Sequence, residues 1–138
     1  QVVNLGKRYG VKVLIENVGL RTKNNVLFDL PEYIALFDIF PQAGALLDTG
    51  HAHVNGWDIP AVVKALGERL AACHVHDNDG SGDAHLPVGQ GDIDWKAYFG
   101  AVKKYAPQAT QVFEYCCGFN NTKDLEAHIA ELKAKYKL

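Results

Sequence analysis

The stretch Cys73-His74-Val75-His76-Asp77-Asn78-Asp79-Gly80-Ser81-Gly82-Asp83-Ala84-His85-Leu86-Pro87-Val88-Gly89-Gln90-Gly91 decides how this chain is read. It opens apolar, as the end of a strand does, then sets His74, His76 and His85 among Asp77, Asp79 and Asp83, and dissolves into glycine. A short strand that feeds ligand-type side chains into a glycine-rich loop is how α/β proteins build a site at their strand ends. Of six histidines, His51, His53, His74, His76 and His85 fall between positions 51 and 85, and His128 stands apart. Chance scattering would not crowd them this way, and the question is which of them share a site.

Working outward from that strand, three other runs have the same form. Val11-Lys12-Val13-Leu14-Ile15-Glu16-Asn17 is a β-branched run closing on an acid, and Ala45-Leu46-Leu47-Asp48 closes on another. Ala109-Thr110-Gln111-Val112-Phe113-Glu114-Tyr115 is a third, again with an acid near its end. Near-continuous apolar runs of this length are buried parallel strands. Between them lie helical patterns. Residues 2–9 read as the last turns of a helix closed by Gly10, and residues 19–28 as a polar loop. Pro31 opens a helix that Pro41 stops, Asp58-Ile59-Pro60 starts another, Asp94 caps a third, and Asn121 or Thr122 caps the last. The order is part of a helix followed by four βα units, which predicts an α/β fold over residues 1–138 as a single domain with a parallel sheet and right-handed crossovers.

Composition narrows the function. With 138 residues, 48 % hydrophobic and 22 % charged, the chain is an ordinary globular domain, and its net charge of −2 carries no basic footprint for nucleic acid. No apolar run approaches the roughly 18 residues of a membrane span, and no charged-then-apolar leader points to secretion. Three cysteines, two of them the adjacent Cys116 and Cys117, make a poor disulfide set, so a reducing cytoplasm is the expected location. The chain contains no Met, so it is expected to be a processed or excised piece.

Each strand delivers a ligand-type residue near its C-terminal end: Glu16, Asp48, His74 and Glu114. Parallel strands converge at one mouth, so the four are expected to meet. Three carboxylates and an imidazole suit a divalent ion, Mn²⁺, Mg²⁺, Co²⁺ or Zn²⁺. His74 and His76 alternate to the same side, so either can line the mouth, and spacing does not choose the ligand. His51 emerges from the turn beyond Asp48, with His53 in the loop behind it. Asp83-Ala84-His85 either holds a second metal, grips a substrate or is an exposed turn. Cys73 alternates away from His74 toward the helices, and Cys116 and Cys117 are assigned structural places.

The stretches Ile15-Glu16-Asn17, Leu47-Asp48-Thr49-Gly50-His51-Ala52-His53, His74-Val75-His76-Asp77-Asn78-Asp79-Gly80, Asp83-Ala84-His85-Leu86-Pro87-Val88-Gly89-Gln90-Gly91 and Phe113-Glu114 resemble the xylose isomerase-like TIM barrel superfamily. That group includes sugar and sugar-phosphate isomerases and epimerases and the endonuclease IV enzymes of AP endonuclease family 2. The resemblance implies that the chain is the (β/α)₄ second half of a (β/α)₈ barrel, strands five to eight. It makes Glu16, Asp48, His74 and Glu114 the metal ligands and His51 a substrate or second-metal residue. Two positions depart from the ketohexose 3-epimerases: Gly80 stands where they carry a sugar-binding Arg, and Leu20 and Thr22 where they carry a further acid. Asp83 and His85, with His51, match the third-zinc residues of endonuclease IV-like sites.

The reading favoured by the sequence is a fragment of a metal-dependent sugar or sugar-phosphate isomerase or epimerase. Glu16 and Glu114 are its proton-transfer residues, and His51, His76, Asp83 and His85 face the sugar. An apurinic-site phosphodiesterase is the second reading, and a catalytically inactive half-barrel the third. Four strands leave two open edges and the inward positions Leu14, Leu46, Ala72 and Val112 without an opposing layer. The expected partners are a small-molecule sugar and either a second copy, in a dimer of half-barrels, or a missing N-terminal half.

Overall fold

The computed structural model describes residues 1–138 and has the predicted alternation. Its elements are α1 (Val2–Arg8), β1 (Leu14–Glu16), α2 (Leu30–Ile39), β2 (Gly44–Asp48), α3 (Thr49–Val54), α4 (Ile59–Leu66), β3 (Leu70–Val75), α5 (Trp95–Tyr105), β4 (Thr110–Phe113) and α6 (Thr122–Tyr136). The four strands form one parallel sheet in the order β1-β2-β3-β4, so each crossover moves one strand along and every C-terminal end lies on the same rim. Leu46 aligns with Ala72 and Asp48 with His74, while His74 aligns with Val112. No helix is long and apolar enough to cross a membrane.

The helices begin where their first-turn amides find side-chain acceptors. Asp29 and Glu32 exchange bonds in a capping box at the start of α2, each 3.0 Å long. Asp58 accepts from the Ala61 amide at 3.1 Å, and Asp94 from Ala97 at 2.9 Å. Asn121, rather than Thr122, caps α6 through the amides of Lys123 and Asp124. Asp48 does double duty, ending β2 and capping α3 through the His51 amide at 2.7 Å. The turn expected at Thr49–His53 is therefore a short helix, since a strand-end acid satisfies its first orphan amides. The loop at residues 19–28 likewise contains a 3₁₀ turn at Arg21–Lys23. The strands are shorter than their apolar runs because pairing stops where the loops leave the sheet.

One face of the sheet is covered by helices over its two central strands. Ala45, Leu47, Cys73 and Val75 are buried there against Tyr33 and Phe37 of α2, Val62, Val63 and Leu66 of α4, and Tyr98 and Phe99 of α5. Burying a side chain of this size contributes about 1.5–3 kcal/mol, so this face carries most of the hydrophobic stabilisation. Cys73 lies on the helix side, as alternation predicts. Polar tips find partners: the Tyr33 hydroxyl donates to the Leu46 carbonyl at 2.6 Å and bonds Ile15 O at 3.1 Å, tying β1 to β2. The other face is half open. Leu14 and Leu46 are half-buried and Val112 is 39 % exposed, whereas Ala72 is buried. β1 and β4 each have one neighbour, leaving an open edge on either side.

Candidate functional site

Asp48 is the best-held residue at the rim. The Asn17 side chain spans the gap between β1 and β2, accepting from the Asp48 amide at 2.7 Å and donating to its carbonyl at 3.0 Å. With its backbone clamped and Oδ1 occupied by the His51 amide, Asp48 turns Oδ2 to His76 Nε2 at 3.1 Å. Burial alone raises the Asp48 pKa, but the His76 bond and charge, helped by His51, outweigh it and hold the carboxyl below its ordinary value. His76 responds in the opposite sense. Burial works against its charged form, yet the bond to Asp48 and the charges of Asp48, Asp83 and Glu114 raise its pKa.

Three carboxylates surround His74. Its Nδ1 lies 3.5 Å from Glu16 Oε1, 3.8 Å from Asp48 Oδ2 and 3.4 Å from Glu114 Oε2. Glu16, Asp48 and His74 each place a donor atom within 4.8 Å of the other two. Glu114, the fourth expected ligand, reaches His74 but groups with His76 and His85 instead. Its residue follows the end of β4, with its amide bonded to Val75 O at 3.2 Å. It therefore approaches from the far edge of the sheet while Glu16 approaches from β1.

These residues fit a divalent cation. Donors bonded to one ion at about 2.0–2.2 Å stand a few ångströms apart, as the Glu16, Asp48 and His74 atoms do. No Lys or Arg lies within 4.0 Å of the clustered acids, and the Arg69–Asp38 pair is the molecule's one such ion pair. The basic groups beside these acids are the imidazoles of His51, His74 and His76, which serve as metal ligands as readily as bases. Among the sequence-predicted residues, Glu16 and Glu114 keep 29 % and 37 % of their side-chain surface exposed, enough to reach a substrate.

The glycine loop folds back over the rim. Asp83 Oδ2 stands 3.3 Å from His51 Nε2 and 3.2 Å from His85 Nε2, so the exposed-turn alternative does not describe it. Its Oδ1 faces His76 Nδ1 at 3.7 Å, and both atoms are buried without a hydrogen-bond partner. The His76 and His85 rings stack with centroids 3.8 Å apart. His76 departs from its predicted place: instead of lining the mouth it is completely buried, because its ring lies against the backbone of Gly50 and beneath His85. A Cβ at Gly50 would occupy the ring's space. His53 pairs with Asp92 at 2.6 Å, away from the centre.

Two supporting residues escaped the sequence reading. Asn17 was visible only as the polar residue after Glu16. Asp77 anchors the loop: its carboxylate accepts from Trp95 Nε1 at 2.7 Å, Gly89 N at 2.8 Å, Asn78 N at 3.0 Å and Ile93 N at 3.3 Å. Asp77 and Leu86 also exchange backbone bonds. The only sequence signal for that role was an acid at a strand end followed by glycines. His85 adopts a left-handed φ of 47°, uncommon for a residue with a side chain. It is held there by the Cys116 amide on its carbonyl and by its Nδ1 against Glu114 O, both at 3.1 Å.

Comparison with known proteins returns the same architecture. The family described as xylose isomerase-like TIM barrel matches residues 1–135. The uncharacterised protein MJ1614 of Methanocaldococcus jannaschii is 31 % identical over 104 residues, which cover 73 % of this chain and 38 % of that protein. A D-allulose 3-epimerase from a Methylomonas species superimposes with a TM-score of 0.78 at 18 % identity, covering 98 % of this chain and 52 % of the epimerase. The TTHB071 protein of Thermus thermophilus, in a crystal soaked with ZnCl₂, superimposes at 0.66 with 24 % identity, covering 96 % of this chain and 48 % of that one. The chain thus spans about half of each solved structure and has the fold of half a TIM barrel.

Proposed function

This chain belongs to the xylose isomerase-like TIM barrel family, and from that premise we propose that it carries the proton-transfer half of a divalent-metal-dependent sugar isomerase or epimerase. The observation that carries the reading is the pair Glu16 and Glu114, converging on His74 from opposite edges of the sheet at 3.5 and 3.4 Å. The similarity to a D-allulose 3-epimerase supports it. Glu16, Asp48, His74 and Glu114 would hold the cation, whether Mn²⁺, Mg²⁺, Co²⁺ or Zn²⁺; the ZnCl₂-soaked relative supports a metal. When bound, a divalent ion polarises neighbouring carbonyl and hydroxyl oxygens of a ketose as a Lewis acid.

The protein's own groups do the proton work. Glu16 and Glu114 reach the substrate from opposite sides, so one takes the proton from the carbon beside the carbonyl and the other returns it. Asp48, clamped by Asn17 and bonded to His76, keeps its negative charge fixed beneath them. His51, Asp83 and His85 stand at the rim, where their ring nitrogens and carboxylate bond sugar hydroxyls. His76 acts through Asp48 and His85 rather than by touching the sugar. An open depression of about 450 Å³ beside Glu114, lined also by His85, Phe113, Tyr115 and Cys116, lies within the range of about 300–1,000 Å³ for small-molecule sites. The free cysteines support a cytoplasmic location.

Glu16→Gln and Glu114→Gln, made separately in the full-length enzyme, remove the acid–base step while leaving shape and size alone. Each is expected to lower turnover by roughly 10²–10⁴-fold with an unchanged circular dichroism spectrum. Wild-type rates in both variants would sink this reading. A second reading rests on the trio His51, Asp83 and His85, whose carboxylate contacts measure 3.3 and 3.2 Å: a multi-metal phosphodiesterase acting on abasic DNA. It requires about three metal ions per full barrel and nicking of abasic duplexes. A single ion by elemental analysis, with no nicking, removes it.

A further inference from the structure

Cys116 and Cys117 carry none of the proposed proton chemistry, yet Cys116 lines the depression beside Glu114 and its amide holds His85. Both are free and exposed, while Cys73 is buried and out of reach. They line one wall of a hollow of about 390 Å³ whose other walls include Phe113, Tyr115, Phe119 and Leu125. Tyr115 and Phe119 stand with ring centroids 5.6 Å apart. Two soft donors beside an aromatic cleft define a ligand: a thiophilic atom carrying a flat apolar group. A direct disulfide between the two is strained, because one peptide sets their Cα atoms about 3.8 Å apart, below the usual minimum of about 4.4 Å. A bridging atom with two longer bonds relieves that strain.

The same segment seats the loop that carries Asp83 and His85. The Cys116 amide donates to His85 O at 3.1 Å, and the Cys116 thiol donates to Ala84 O at 3.2 Å. Gly118, at φ 95°, lies against Pro87 so closely that a Cβ would stand 2.6 Å from its ring. A ligand that draws the Cys116 sulfur toward Cys117 takes it from Ala84.

We propose that Cys116 and Cys117 form a vicinal dithiol site for trivalent organoarsenicals, with the organic group in the Phe113–Tyr115–Phe119 hollow, and that occupation loosens the loop bearing Asp83 and His85. The reaction is a condensation without redox change. Two S–H bonds and the arsenic–oxygen bond break, two arsenic–sulfur bonds form, and the two protons leave with the oxygen as water. The dithiol chemistry does not rest on the sugar reading, since it uses no catalytic carboxylate, although its hollow shares Phe113, Tyr115 and Cys116 with the depression beside Glu114.

Phenylarsine oxide added to the 138-residue chain tests it by mass spectrometry and amide hydrogen exchange. One adduct per chain is expected, blocking two thiols, removed by a dithiol and resistant to a monothiol. Cys116→Ser or Cys117→Ser breaks the chelate and weakens binding on the order of 100-fold, whereas Cys73→Ser leaves it unchanged. Phe119→Ala weakens phenylarsine oxide but not arsenite, separating the hollow from the sulfurs. Exchange of the Cys116 and Leu86 amides quickens in the adduct. No adduct, two adducts per chain, or an adduct held as tightly in either serine variant as in the parent overturns the site; unchanged exchange at both amides overturns its coupling to the loop.

Discussion

At the scale of single residues, the site depends on a few positions where no other side chain fits. Gly50 is one, because the His76 ring occupies the volume a Cβ would take. Gly50→Ala is expected to displace His76 from Asp48 and to lower stability by about 1–3 kcal/mol in urea unfolding, the usual cost of overpacking. Gly100 is the control. It lies within α5 with open space around its would-be Cβ, so Gly100→Ala should raise stability by about 0.5–1 kcal/mol. If the two variants shift the midpoint alike, close packing of His76 on the Gly50 backbone is not what selects glycine there.

At the scale of elements, the loop between β3 and α5 is ordered by one buried carboxylate rather than by regular structure. Asp77 satisfies four donors from residues 78 to 95, including the Trp95 indole at the start of α5. Asp77→Ala strands those donors, at about 1–3 kcal/mol for each buried group left unpaired. We expect at least about 3 kcal/mol in total, with Trp95 exposed to quenchers, while Asp77→Asn keeps an acceptor and loses less. An alanine variant as stable as the parent would show that the loop is held by its contacts with β4 alone. The helix caps were legible because a short acid before Pro or an apolar run has few other uses. Asp77 was not, since an acid at a strand end reads equally as a ligand.

The whole molecule is one layer of helices on one sheet face, and its core holds groups that must stay neutral. Burial pushes the Cys73 thiol up to about 11 and raises Tyr33 and Tyr98 well above their ordinary value of 10.0. Below pH 9 both folded and unfolded chains keep these protons, and stability is full. Above it the unfolded chain loses the Cys73 proton first and, above pH 10, the tyrosine protons, so stability falls as pH rises, by about 1.4 kcal/mol per pH unit for each group past its ordinary pKa. Urea midpoints should therefore drop between pH 9 and pH 11, and less steeply in Cys73→Ala. A midpoint that stays level across that range would contradict the burial of these groups. The two unpaired edges and the half-open face, with Val112 39 % exposed, also predict association. Light scattering at tens of micromolar should show a dimer of half-barrels, or a complex when an N-terminal half is supplied; a compact monomer in both cases would refute it.

The sequence by itself determined the βα order, the parallel sheet, and which acids and imidazoles stand at strand ends. Periodicity of two and 3.6 and the capping chemistry are local, and local signals survive without a structure. The family resemblance read from Leu47–His53, His74–Gly80 and Asp83–Gly91 rests on the same local motifs. Only the tertiary structure decided which of those residues share a centre. His74 and His76 alternate identically along the chain and both meet carboxylates, yet His74 keeps a half-buried place facing Glu16 and Glu114 while His76 is buried beneath His85, because the Gly50 backbone and the returning loop close over it. Asp83 meets His51 across 32 positions of sequence through a loop pinned by Asp77, and no periodicity records that closure. Donor grouping is a matter of ångströms, set by strand register and loop return together, and those are properties of the folded chain alone.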